Sequence, residues 1–209
     1  ATIRIRVDWT PQSLNDWGAL GGVIGRLAGN YWAVPVVEGL EGAPGSDAMK
    51  HFGAAMASFG SSALFHLVGI TPEAARLHDV GGDRLPVAHR IGRADVQALQ
   101  NAYATTDEID VVVFSAPQLS LYELRDIAHL SEGRRFTKPM LAITSPQVKP
   151  DCDRMGYTEL IEAAGGQVLS GMCFYQSYAR EIAEAHGWKR LATNSAKLVN
   201  ILGGYGYAP

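Results

Sequence analysis

The segment Ile109-Asp110-Val111-Val112-Val113-Phe114-Ser115-Ala116-Pro117-Gln118-Leu119-Ser120 decides the fold. Residues 111–114 show no polar alternation, the pattern of a strand buried on both faces in a parallel sheet. The run breaks at Pro117, and Ser120 followed by Glu123 forms the S-x-x-E signature of a helix start. A doubly buried strand handed directly to a helix is the repeating unit of an α/β fold.

The same alternation extends in both directions. Strands are expected at Thr2–Val7, Trp32–Val37, Ala63–Val68, Ile109–Phe114, Met140–Thr144 and Gln167–Leu169. Amphipathic helical patterns fall at Leu14–Leu27, Asp47–Ser58, Arg93–Ala104, Leu121–Leu130, Tyr157–Ala164 and Tyr175–His186. Gly29-Asn30 and Gly165-Gly166 supply stop signals. The expected class is α/β, with strands and helices alternating around a mainly parallel sheet through right-handed connections. At ~150 residues per domain, 209 residues make a single α/β domain (residues 1–209) or two closely packed α/β lobes.

Composition removes several function classes. With 47% hydrophobic and 19% charged residues, the chain is too apolar for a disordered protein. A net charge of −3 lacks the basic surplus of a sequence-independent nucleic-acid binder. Apolar runs fall far short of the ~20 residues of a spanning helix, and no basic-then-apolar leader opens the chain, so neither membrane nor nucleic acid is an expected partner. Two cysteines, Cys152 and Cys173, make no disulfide framework, and a cytoplasmic location is expected. The chain begins without Met, as a processed protein or a piece of a longer polypeptide would.

Four segments could carry chemistry. In Phe65-His66-Leu67-Val68-Gly69-Ile70-Thr71-Pro72-Glu73-Ala74 a strand end meets a turn, with Thr71 an expected N-cap and Pro72 the first helical residue. His66, Thr71 and Glu73 would then stand beyond a strand's carboxyl end, where open α/β sheets bind ligands. Capping together with a core histidine explains the same residues. Ser115–Ser120 is a second strand end, accounted for largely by its capping box. Cys173, in Gly171-Met172-Cys173-Phe174, is either a small buried hydrophobe or a metal-binding thiolate. In Thr193-Asn194-Ser195-Ala196-Lys197, small polar residues before a helix start, with Ser195 and Lys197 side chains, suit either capping or an anion. Gly18-Ala19-Leu20-Gly21-Gly22-Val23-Ile24-Gly25 departs from the G-x-G-x-x-G fingerprint; it fits close helix packing, or a phosphate contact in a nucleotide-dependent enzyme.

In order and spacing these segments resemble the aconitase X family of hydro-lyases: Asp16–Gly21, Val34–Leu40, Lys50–Gly60, Phe65–Ala74, Pro117–Ser120 with Glu123-Leu124, Cys173, and Thr193–Lys197. The resemblance covers nearly the whole chain and corresponds to about the second half of the family's large subunit. It implies an aconitase-like α/β/α domain within a larger catalytic subunit. The implied partners are the N-terminal half of that subunit, a small swivelling domain or companion small subunit, and a small hydroxy-acid substrate. The implied reaction is dehydration, of cis-3-hydroxy-L-proline in preference to mevalonate 5-phosphate, since no cluster of Lys and Arg beyond Arg134-Arg135 is evident.

The resemblance also implies an iron–sulfur cluster or mononuclear iron, held by cysteines from separate segments, with Cys173 matching a D-T-C-like cysteine. Asn194, Ser195 and Lys197 match a substrate-anion segment, while His66 and Thr71 match the family turn; His66, Thr71 and Ser195 are the implied catalytic residues. One departure stands out. Where many relatives read Gly-Cys-Pro-His, this chain has Ser115-Ala116-Pro117-Gln118, and alanine cannot ligate iron. Cys152 could replace that ligand only if the fold brings it beside Cys173. The base that takes the carbon-bound proton would then lie in the first half of the subunit. The alternative to a lyase is a non-catalytic subunit or small-anion-binding module of a dehydratase complex.

Overall fold

The computed structural model describes residues 1–103 and 108–208, which form two compact units, residues 1–104 and 105–209. Each is built on its own four-stranded, fully parallel sheet. Ala104, the last residue of one expected helix, lies outside the described residues.

In the first unit the strand order is β3(His66–Leu67)-β2(Pro35–Glu38)-β1(Ile3–Val7)-β4(Val87–Ile91). Alternation along β1 sends Ile5 and Val7 into a core with Val37, Leu67 and Ile91, and sends Arg4 and Arg6 to the opposite face. The helices α1(Leu14–Ala28), α2(Ser46–Gly60) and α3(Arg93–Tyr103) all bury their apolar stripes in that core, through Leu20, Ile24, Phe52, Met56, Val96 and Leu99. Ser13 and Asp16 form a reciprocal capping box at the start of α1, and Gly29 (φ 67°) ends it. The glycine run lies within α1 and does what close packing requires. A Cβ on Gly25 would stand 2.6 Å from the Met56 carbonyl oxygen of α2.

The second unit has the order β7(Gly166–Ser170)-β6(Met140–Thr144)-β5(Val111–Leu119)-β8(Leu191–Ala192). Here both faces are covered. Val111, Val113 and Ile143 pack with α7(Ala179–His186) and α8(Ala196–Leu202). Val112, Phe114, Met140, Ala142 and Val168 pack with α4(Leu121–Ser131), α5(Lys149–Arg154) and α6(Tyr157–Ala163). The continuous apolar run thus becomes a doubly buried strand, and Ser120 with Glu123 caps α4 as its spacing predicts.

Several boundaries differ from expectation. Only His66 and Leu67 of Ala63–Val68 pair, because β3 is an edge strand with β2 as its single neighbour. No helix starts at Thr71; its segment closes as a turn that leads to short 3-10 helices at Leu77–Val80 and Gly82–Arg84. The helix expected over Tyr175–His186 is interrupted, since Tyr178 adopts a left-handed conformation (φ 60°) and α7 begins after it. Three short elements carried too little apolar signal to be foreseen: β4, four of whose five residues are exposed, the two-residue β8 and the six-residue α5.

Candidate functional site

Because β5, β7 and β8 lie in one parallel sheet, the C-terminal half of β5 and the segments that follow β7 and β8 share the carboxyl end of the second sheet. These segments are Ser115–Leu119, Gly171–Ser177 and Thr193–Ser195, three of the stretches that the sequence singles out. Hydrogen bonds tie them together. Ser195 Oγ donates to the Ala116 carbonyl (2.6 Å) and accepts from the Leu198 N–H (3.1 Å) as the N-cap of α8. The Phe174 N–H donates to Ser115 Oγ (3.4 Å), and Gln118 Nε2 donates to the Met172 carbonyl (3.0 Å). Ala116 is buried at φ 53°, a left-handed conformation that favours glycine.

This network assigns parts to the expected residues. Ser195 is 1% exposed and its hydroxyl is committed to the backbone, so it braces the loops. Asn194 and Lys197 flank it and are half-buried. The Lys197 ammonium lies 5.7 Å from the centroid of the Tyr175 ring, within cation–π range. Tyr175 packs edge-on against Tyr205 (6.1 Å, 64°), and Arg180 sits over Tyr205 at 6.0 Å. Burial, and after it the charge and hydrogen bond of Cys173, push the Tyr175 phenol above its usual range. Cys173, Tyr175 and Lys197 therefore form one connected group. Sequence reading missed Tyr175, since nothing local marks a tyrosine whose importance lies in contacts to another loop.

The thiols separate. Cys173 packs on the α7–α8 side of the sheet, whereas Cys152 is fully buried on the α4–α6 side and accepts a hydrogen bond from Thr158 Oγ1 (3.3 Å). Burial pushes the Cys152 thiol up. Cys152 thus cannot stand in beside Cys173, and Ala116 offers no ligand. Among the described residues, no three His, Cys, Asp or Glu side chains are grouped as a metal ion requires. The residues of this chain do not complete a three-thiolate iron site.

His66 and Thr71 belong to the first unit. His66 Nδ1 lies 2.7 Å from Glu73 Oε1, and this hydrogen bond is the main cause holding the Glu73 carboxyl below its usual range. Thr71 Oγ1 accepts from the Leu67 N–H (3.2 Å) and donates to the Leu67 carbonyl (3.3 Å), fastening the turn that carries Glu73. Its hydroxyl therefore shapes a turn and caps no helix. Arg134 and Arg135 line a shallow cleft with Ser131, Leu160 and Ala163. That cleft precedes β6 and β7 in the chain and so lies at the amino ends of the strands, away from Lys197. No helix among the described residues is long and apolar enough to cross a membrane.

Residues 1–104 match the family model described as aconitase X second domain, and residues 109–209 the model described as aconitase X third domain. The phosphomevalonate dehydratase large subunit of Methanothermobacter thermautotrophicus is 35% identical over 206 residues, covering 98% of this chain and 49% of that protein. The cis-3-hydroxy-L-proline dehydratase of Hypocrea jecorina is 34% identical over 187 residues, 85% of this chain and 30% of its own. The crystal structure of Thermococcus kodakaraensis aconitase X in its holo-form superposes with a TM-score of 0.86 at 29% identity, over 100% of this chain and 52% of that one. The chain spans about half the length, or less, of these relatives.

Proposed function

The chain belongs to the aconitase X family, and from that premise we propose that it forms the second and third domains of a hydro-lyase that removes water from a small hydroxy carboxylate. The observation that carries this reading is the tied cluster of strand-end loops presenting Lys197 beside Tyr175, which in turn neighbours Cys173. Removing a carbon-bound proton next to a carboxylate builds negative charge on the carboxylate oxygens, and a fixed ammonium stabilises that charge as it develops. Lys197 takes this part, with Asn194 beside it and Ser195 holding the loop. Within the first unit, His66, whose ring Glu73 orients through Nδ1, is the residue proposed as catalytic. Of the two thiols, the half-buried Cys173 is the proposed iron ligand, and a cluster would need its other ligands from outside these residues.

The favoured substrate is cis-3-hydroxy-L-proline. The Lys197 ammonium beside the Tyr175 ring suits a carboxylate carried on a small ring, and elimination there gives an enamine that tautomerises to a cyclic imine. Mevalonate 5-phosphate is the second reading, supported by the relative of that activity at 35% identity. A companion small subunit is part of the proposal, since several relatives are large subunits.

Calorimetric titration of the chain with each acid tests the reading, with Lys197→Gln expected to weaken binding of the favoured substrate at least tenfold. Dehydration is then followed with the companion subunit added. Binding without turnover would leave a small-anion-binding module in place of a lyase; equal binding by the variant would remove Lys197 from the site.

A further inference from the structure

We propose that Arg6 and Arg90 form a binding site for a phosphate group on the first unit. The two residues are register partners on the adjacent parallel strands β1 and β4, one residue before each strand ends, on the sheet face turned away from α1–α3. Like charges placed side by side on neighbouring strands destabilise a sheet unless something compensates. Asp8 compensates in part. Its carboxylate accepts from Arg6 Nε (3.2 Å) and from Arg90 Nη1 (3.2 Å), so one negative charge serves two guanidinium groups.

Arg4, on the same face, is a contrast. Glu38 neutralises it one to one through two hydrogen bonds (3.0 and 3.2 Å), and the Leu85 carbonyl takes a further N–H. Arg4 is thereby structural, while the Arg6–Arg90 pair retains a net positive charge. Both side chains remain accessible, at 46% and 67% exposure. Asp8 fixes their heads close together without using all of their N–H donors, a pre-formed arrangement suited to the several acceptor oxygens of a phosphate. The location agrees, for ligands of parallel sheets gather at the carboxyl ends of strands. A phosphomonoester and free inorganic phosphate share this chemistry.

The test is thermal denaturation and calorimetry of the chain with inorganic phosphate, mevalonate 5-phosphate and cis-3-hydroxy-L-proline, each against chloride at equal ionic strength. A phosphate compound is expected to raise Tm, and Arg6→Gln and Arg90→Gln are each expected to weaken its binding at least tenfold. Both positions are exposed, and circular dichroism without ligand verifies that the variants fold. Asp8→Asn, which removes the competing carboxylate, is expected to bind phosphate at least as tightly as the parent. Tighter, Arg90-dependent binding of the phosphomonoester identifies a substrate phosphoryl group; equal binding of inorganic phosphate identifies the free ion, and either upholds the site. Absence of any phosphate-specific effect, or an effect unchanged in both arginine variants, overturns it. Hydroxyproline carries no phosphate and its binding is read separately through Lys197→Gln, so failure here leaves the lyase reading standing.

Discussion

Cys152 and Cys173 show how far the surroundings of one side chain outweigh its identity. Cys152 is wholly buried with its thiol pushed up by desolvation, while Cys173 is half-buried beside Tyr175. Alkylation of the native protein with iodoacetamide is expected to label Cys173 at least tenfold faster than Cys152, because the thiolate is the nucleophile and access is needed. Peptide mass spectrometry reads the ratio, and equal labelling would show that the α4–α6 side opens readily. At this scale the sequence made visible whatever depends on near neighbours. Ser195 as an N-cap and the Ser120–Glu123 box were legible because capping involves residues three apart. Thr71 misled for the same reason: its Thr-Pro pair fits a helix start, but its hydroxyl is used by Leu67. Tyr175 and the Arg6–Arg90 pair were hidden, since each depends on a partner brought near only by strand order.

Among the elements, the pairing of α1 with α2 is the most sharply specified. Gly21 and Gly25 of α1 and Gly60 of α2 let the two backbones approach where any Cβ would collide. Alanine is favoured over glycine in an exposed helix by about 1 kcal/mol, which would predict a gain from Gly25→Ala. The Met56 carbonyl, 2.6 Å from the new Cβ, reverses the sign, since backbone cannot yield as a flexible side chain does. The expected outcome is a net loss of about 1–3 kcal/mol, measured by urea denaturation. A neutral or stabilising result would mean that the helices slide apart at little cost. The spacing of these glycines left packing and phosphate binding both open, and only the neighbouring helix separates the two.

The whole molecule is two parallel sheets, each with its own buried core. About 100 residues suffice for a self-supporting core. Residues 1–103 and 108–209 produced separately are therefore expected each to give a cooperative thermal unfolding transition by circular dichroism. Failure of either to do so would show that its stability is borrowed. The α/β class followed from periodicity, which left one domain and two lobes both open, because alternating strands and helices look alike whether one sheet or two receives them.

The hydrogen bond from Ser195 to residue 116 has an evolutionary consequence. It engages the carbonyl oxygen, an atom that every amino acid supplies, and the neighbouring ties use Ser115, Gln118 and backbone atoms of the cysteine-bearing loop. The side chain at position 116 makes none of these hydrogen bonds, although its methyl packs in the core of the second unit. A lineage that exchanges cysteine for alanine there keeps every one of these hydrogen bonds, so a ligating side chain can be lost while the ties between the loops persist.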